Sequence, residues 1–226
     1  MQKTTVYDLP TRMFHWLFSS LFISAILIAK YVDDESPLYF YHMLAGILLG
    51  CLVILRIFWG LVGTRYARFS SFALHPKELL GYAKEFLGLN RKTLHPGHNP
   101  ASSWAALIML TAGLLLALSG VLMTSGYKEE LEDIHEILAD VFLVTAIAHV
   151  LGVLLHTLRH KDAIALSMVH GKKTQLDPGL STPSNAPKAA LAFGLLVCLL
   201  TGYILFHYDS STQQLTILGQ TLELAE

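Results

Sequence analysis

Apolar residues gather into five runs along the chain, at about 13–32, 39–61, 104–125, 131–158 and 189–208. Each is long enough to rank as a membrane span, which needs roughly 20 mostly apolar residues in a helix. The first run is too long for a signal-peptide core and lacks an Ala-x-Ala site, so it reads as a retained helix. Polar breaks separate the runs. Asp33-Asp34-Glu35-Ser36-Pro37 makes a short turn. Residues 64–100 form a longer connection, within which Pro76-Lys77-Glu78 can open a helix, because proline suits the first helical position. Leu79, Leu80, Ala83, Phe86 and Leu87 then recur at helical spacing. They predict either an amphipathic helix lying in the membrane interface or a short helix packed on its own loop. Gly171, Pro178, Gly179, Pro183 and Pro187 mark an irregular linker before the last run. No repeat, low-complexity tract or soluble domain is visible.

Composition agrees with the pattern. Hydrophobic residues make up 53% of the 226 and charged residues 15%, against about 25% charged in a soluble domain. Intrinsic disorder is excluded, since it needs low hydrophobicity and high net charge. A net charge of −1 gives no footprint for a nucleic-acid partner. Two cysteines, Cys51 and Cys198, make no disulfide scaffold, and no Cys-x-x-Cys-His is present for covalent c-type haem.

Charge sets a direction. Thirteen of the 16 basic residues fall on one side: Lys3, Arg12, Arg65, Arg68, Lys77, Lys84, Arg91, Lys92, Arg159, Lys161, Lys172, Lys173 and Lys188. Lys30, Lys128 and most of the acidic loop residues, including Asp33, Glu129, Asp133, Asp209 and Glu226, fall on the other. The positive side is cytoplasmic. The expectation is a multi-pass protein of a bacterial inner membrane, N-terminus inside and C-terminus outside, embedded in lipid.

Four histidines lie within the runs at depths that pair. His42 and His135 sit just inside the outer boundary, and His15 and His149 in the inner half. His149 follows His135 by 14 residues, about 21 Å along a helix and within about 40° of the same face. One helix thus presents two imidazoles at two levels. Two histidines at one depth on facing helices suit the axial positions of a haem iron, and a bundle of four helices can hold cofactors in its core. His156, seven residues beyond His149, shares that face, and depth alone does not choose between them. Polar groups inside a membrane are costly and usually functional. A zinc or copper site would instead draw three or four ligands to one point.

Three patches carry a resemblance. They are Asp8-Leu9-Pro10-Thr11-Arg12-Met13-Phe14-His15-Trp16, then His42-Met43-Leu44-Ala45-Gly46 running on to Leu55-Arg56-Ile57-Phe58-Trp59-Gly60-Leu61-Val62-Gly63, then Gly97-His98-Asn99-Pro100 followed by His135 and His149. Over about residues 5–173 the sequence resembles the prokaryotic cytochrome b561 family, which includes the b subunits of membrane-bound Ni,Fe-hydrogenases. The resemblance implies an all-α integral membrane protein whose four-helix bundle, residues 1–173, holds two haems b. A linker over 174–187, an additional membrane helix over 188–208 and an outer tail over 209–226 would follow. It assigns His15 with His149 to the inner haem and His42 with His135 to the outer. It also implies electron exchange between the quinone pool and a redox partner, as in a respiratory chain.

Other polar residues have two readings each. Arg56, 14 residues beyond His42, faces inward near the inner level, where a guanidinium suits a haem propionate or a quinone, or else snorkels to the interface. Arg12 suits an inner propionate or anchors the first span. His98 and Asn99 suit a quinone carbonyl, and Asn99 equally suits a helix cap before Pro100. Gly46, Gly50, Gly113 and Gly120 give close helix packing or room for a porphyrin. Asp140 has no assigned role. The acidic outer loops would attract a basic partner such as a c-type cytochrome; a dehydrogenase or hydrogenase subunit, or a second copy of the chain, are the other partners expected. The fifth span would contact that partner or that copy. The rival is a non-haem membrane protein, either a metal or proton transporter or a structural anchor. Whether the chain is an electron carrier alone or a quinone-linked oxidoreductase subunit stays open here.

Overall fold

The computed structural model describes residues 3–89, 95, 97–160, 164–174, 183–209, 211–212, 214–217 and 219–223. Arg91, Lys92, Lys161, Pro178, Gly179, Glu226 and most of the 174–187 linker lie outside the described residues.

All five apolar runs are helical. They are α1 (Leu9–Tyr31), α2 (Phe40–Val62), α4 (Pro100–Leu122), α5 (Lys128–His160) and α7 (Pro187–Phe206); the shorter α3 (Pro76–Phe86) and α6 (Ser167–His170) lie between them. Among the described residues, four helical stretches are long and apolar enough to cross a membrane. The third of these, Pro100–Leu158, runs 59 residues, about three times what a bilayer core needs. It contains two spans, because the backbone breaks between α4 and α5 at Gly126, with φ 99°. Glycine adopts that conformation without a Cβ penalty. Past the break the chain doubles back, so that Ser119 and His135 touch.

The ends of these helices are set locally. Asp8 accepts from the Thr11 backbone N–H at 2.9 Å and so caps α1. Asn99 accepts from Ser102 N–H at 2.8 Å ahead of Pro100 and caps α4. His75 accepts from Lys77 N–H at 3.1 Å and caps α3, with Pro76 in its first turn. On α3, Leu80 is exposed while Glu85 is buried. The exposed leucines fit an interfacial helix, but a polar flank of α3 is turned inward.

The chain divides into two compact units. The first comprises residues 1–15, 56–110 and 143–190, and the second 16–55, 111–142 and 191–226. In the first, β1 (Lys3–Thr5) pairs antiparallel with β2 (Lys172–Thr174), in the register Lys3 with Thr174. Gly171, at φ 77°, closes that corner; a Cβ there would lie 2.6 Å from the Tyr7 carbonyl oxygen. In the second unit, β3 (Tyr208–Asp209), β4 (Gln214–Ile217) and β5 (Gln220–Glu223) form an antiparallel sheet in that order. Leu215 and Leu222 from this sheet bury against Phe40, Leu48 and Ile204, and Tyr208 stacks on Phe40 at 3.6 Å. The tail after α7 therefore packs on its own chain. Also in the second unit, Phe142 stacks on Phe22 at 3.8 Å beside Phe18, and all three rings are buried. Phe142 lies seven residues from both His135 and His149, so aromatic carbon fills that face of α5 between its two histidines.

Candidate haem-binding sites

In the second unit the imidazoles of His42 and His135 face each other with ring centres 6.3 Å apart. Two imidazoles on opposite sides of one metal, each bonding it at about 2.0–2.1 Å, stand about 6 Å apart by ring centre. Their partners assign the protons. His42 Nδ1 lies 2.9 Å from the Ala25 carbonyl oxygen, which only accepts, so Nδ1 carries the hydrogen and Nε2 the lone pair. His135 Nδ1 lies 2.8 Å from Ser119 Oγ, and Ser119 donates its one hydrogen to the Leu116 carbonyl at 3.2 Å. With that hydrogen used, Ser119 Oγ is free to accept from His135 Nδ1, an arrangement that leaves Nε2 with the lone pair. A second hydrogen bond of this kind orients metal-binding histidines in general.

A recess lies beside these rings, lined by Met43, Gly46, Ile47, Leu116, Ala117 and Gly120 among others. No charged side chain lines it. The glycines separate into two kinds. At Gly46 a Cβ would meet nothing within 4 Å, and at Gly120 it would meet only the His135 ring, at 3.6 Å. At Gly50 it would collide with Ala117 Cβ at 2.5 Å, and at Gly113 it would press on Leu49 and Phe18. Gly50 and Gly113 serve close packing, while Gly46 and Gly120 border open space. These features fit a flat apolar macrocycle.

The first unit brings together His15, His149, His98 and Arg56. His15 lies in the field of His149, and His98 lies in the fields of Lys173, Arg56, His149 and His15. Arg56 is buried. Its Nη2 donates to the Ala67 carbonyl at 2.9 Å, and the guanidinium sits 5.0 Å from the Phe69 ring centre, 5.9 Å from Phe14 and 6.0 Å from Phe72. Its Nη1 is buried with no hydrogen-bond partner among the described residues. Phe72 also meets the His98 ring at 4.8 Å, and Tyr7 meets it edge-on at 5.1 Å. Burial first, then the positive charges of Lys173 and Arg56, hold His98 well below the ordinary histidine value. It is a neutral ring, and its Nδ1 is likewise buried without a hydrogen-bond partner among the described residues. Asp8, fully buried, accepts from Trp59 Nε1 at 3.1 Å and Thr64 Oγ at 2.6 Å, tying the start of α1 to the end of α2. A buried guanidinium with a spare N–H fits an anionic cofactor edge.

The remaining expected residues are placed as follows. Arg12 donates to the Val169 carbonyl at 2.7 Å and to Asn185 Oδ1 at 3.2 Å, so it braces the segments that precede α7. Asn99 is buried; besides its cap it donates from Nδ2 to the Tyr82 hydroxyl at 3.2 Å. His156 is buried at 2.9 Å from that same hydroxyl. Asp140 lies on the exposed face of α5. Among the described residues, no three His, Cys, Asp or Glu side chains converge on one point.

The sequence profile of the family described as prokaryotic cytochrome b561 matches residues 6–171. The chain belongs to the prokaryotic cytochrome b561 family. It is 22% identical over 215 residues to a protein of Rhizobium leguminosarum bv. viciae named probable Ni/Fe-hydrogenase B-type cytochrome subunit, an alignment covering 76% of this chain and 89% of the relative. No solved structure matches it. Family and fold together make it a multi-pass membrane cytochrome of the b type, in which haem serves electron transfer. Within this b561 chain, Ser119, Tyr82, Asp8 and the rings around Arg56 escaped the sequence reading. Ser119 had a usable signal: it and His135 are nearly equidistant from Gly126, so a turn there makes them neighbours across α4 and α5.

Proposed function

We propose that this cytochrome holds two haems b and relays electrons between the quinone pool at the inner face of a bacterial inner membrane and a redox partner at the outer face. The observation that carries the reading is the His42–His135 pair, 6.3 Å apart by ring centre with both Nδ1 hydrogens already donated. Their Nε2 lone pairs would hold the outer iron. His15 and His149 would hold the inner one, with Arg56 Nη1 directed to a propionate. His98 and Asn99 would offer polar contacts to quinone at the cap of α4. Arg12 serves the fold in this reading, since two of its N–H groups are engaged by residues 169 and 185. Iron ligated by two imidazoles takes up and releases single electrons and leaves no open position for oxygen.

The residues themselves do three things. The carbonyl of Ala25 and the hydroxyl of Ser119 keep Nε2 unprotonated. The apolar lining excludes water. Arg56 balances negative charge in a place where an unpaired anion would be costly.

The basic side of the chain is read as cytoplasmic, which places the N-terminus inside. A partner follows from the relative's name: a hydrogenase or related dehydrogenase subunit is the first to seek, ahead of a basic c-type cytochrome on the acidic outer loops. Co-purification from native membranes tests that choice. The core reading is tested by haem extraction and dithionite spectra of the purified chain. Two haems b per chain are expected; a preparation without a b-type α band overturns the reading in favour of a transporter or anchor.

A further inference from the structure

A polar cluster in the first unit is left unused by any cofactor-holding role. Tyr82, on α3, places its hydroxyl 2.9 Å from His156 Nδ1, and Asn99 Nδ2 donates to the same hydroxyl at 3.2 Å. His95 meets the Tyr82 ring edge-on at 5.9 Å. His95 also lies in the fields of Glu85, Lys173, Glu78 and His156. Lys173 donates to the backbone carbonyls of His95 and Gly97, which pins this segment. Glu78 is exposed, His95 is half-buried, and Glu85 and His156 are buried, so the titratable groups descend from solvent into the protein. A buried carboxyl and a buried imidazole are expensive to keep in a membrane protein unless they act.

We propose that His95, Tyr82 and His156 form a proton relay serving the inner quinone site, with Asn99 holding the Tyr82 hydroxyl in line. The relay rests on the quinone reading above and adds the path its protons take. Reduction of a quinone to quinol consumes two electrons, supplied by the reduced redox partner, and two protons. For each proton, Tyr82 passes its hydroxyl hydrogen to His156 Nδ1 and takes one from His95. His156 releases the hydrogen on its Nε2 toward the quinone oxygen, and His95 is reprotonated from the Glu78 side. Rotation of the hydroxyl and exchange at the rings restore the starting state; quinol oxidation runs the path backwards. Asn99 fits the direction, because its N–H occupies a lone pair of the Tyr82 oxygen and leaves the hydroxyl hydrogen for His156. Burial, working against the attraction of Glu85, keeps His95 below its ordinary value, so it is neutral and able both to accept and to donate. In this arrangement His156 has its hydrogen on Nε2, the reverse of His42 and His135, and is a proton carrier rather than an iron ligand.

The test uses the full haem-loaded chain in lipid vesicles with a short-chain quinol and quinone. Tyr82→Phe keeps the ring and removes the transferable hydrogen. It should slow quinol-driven haem reduction at least about tenfold, the low end for losing a positioned proton-transfer group. It should also change the rate ratio between H2O and D2O, while haem content and dithionite-reduced spectra match the native chain. His156→Gln should do the same with both haems retained. Unchanged rates and isotope ratio in Tyr82→Phe overturn the relay, and loss of a haem in His156→Gln overturns it by making His156 a ligand. Should the native chain carry two haems yet show no reaction with quinol, the quinone reading fails first and the relay with it.

Discussion

The two compact units hold paired histidines in contrasting surroundings. Around His42 and His135 the lining is apolar and small, and each ring is oriented by a single neutral acceptor, Ala25 O or Ser119 Oγ. The first unit, which carries His15 and His149, also holds a buried arginine with a spare N–H, a neutral buried His98, a fully buried Asp8 and the Tyr82–His156–Asn99 cluster. Holding a macrocycle requires only shape and two lone pairs. Exchanging charge and protons with a second molecule requires the costly polar groups, and these are concentrated in the unit that contains the segment read as the quinone site. On the proposed function, the contrast corresponds to simple electron storage in one unit and coupled chemistry in the other.

The sharpest way to break the contrast is to remove a ligand from the simpler unit. His42→Ala or His135→Ala should each cost one of two haems and leave the other with its spectrum intact, as read by pyridine haemochrome content per chain. In the polar unit, His149→Ala should also remove one haem whereas His156→Gln should remove none. Ser119→Ala is the next effect in size. It takes away the acceptor that sets the His135 tautomer, and outer-shell losses of this kind cost about 10–100-fold in affinity. Haem transfer to apo-myoglobin should be faster by a comparable factor from this variant, with no matching change for Arg56→Gln. Arg56→Gln should instead shift the midpoint potential of one haem and spare the other. The smallest effect separates the glycines. Gly50→Ala should destabilise by about 1–3 kcal/mol, because its Cβ collides with Ala117. Gly46→Ala meets no protein atom within 4 Å, so it should spare the packing and instead lower the haem content read by pyridine haemochrome.

The fold was largely readable because spans are written in local hydropathy, and each of the five runs became a helix within a few residues of its expected ends. The depth pairing of His42 with His135 was readable for a similar reason: a regular rise converts sequence position into height. What failed to show was contact between distant segments. The two small sheets join strands of a few residues with no alternating pattern of their own, such as Lys3–Thr5 with Lys172–Thr174. The enclosure of Arg56 by Phe14, Phe69 and Phe72 depends on how residues 64–75 return over the end of α2. Tyr82 lies among the helically spaced Leu79, Leu80, Ala83, Phe86 and Leu87 and carries no signal of its own in the sequence. It gains its meaning from Asn99 and His156, 17 and 74 residues away. The His149-or-His156 ambiguity had the same origin, since both share one face of α5 and only their neighbours differ.

The central claim is that two histidine pairs of different character each hold one haem. A redox titration of the purified chain, followed at the b-type α band, tests it most directly. Two one-electron components of equal amplitude are predicted, with one of them absent in His42→Ala and the other unmoved. A native titration curve with a single component worth one haem per chain, or a His42→Ala curve identical to the native one, would contradict it.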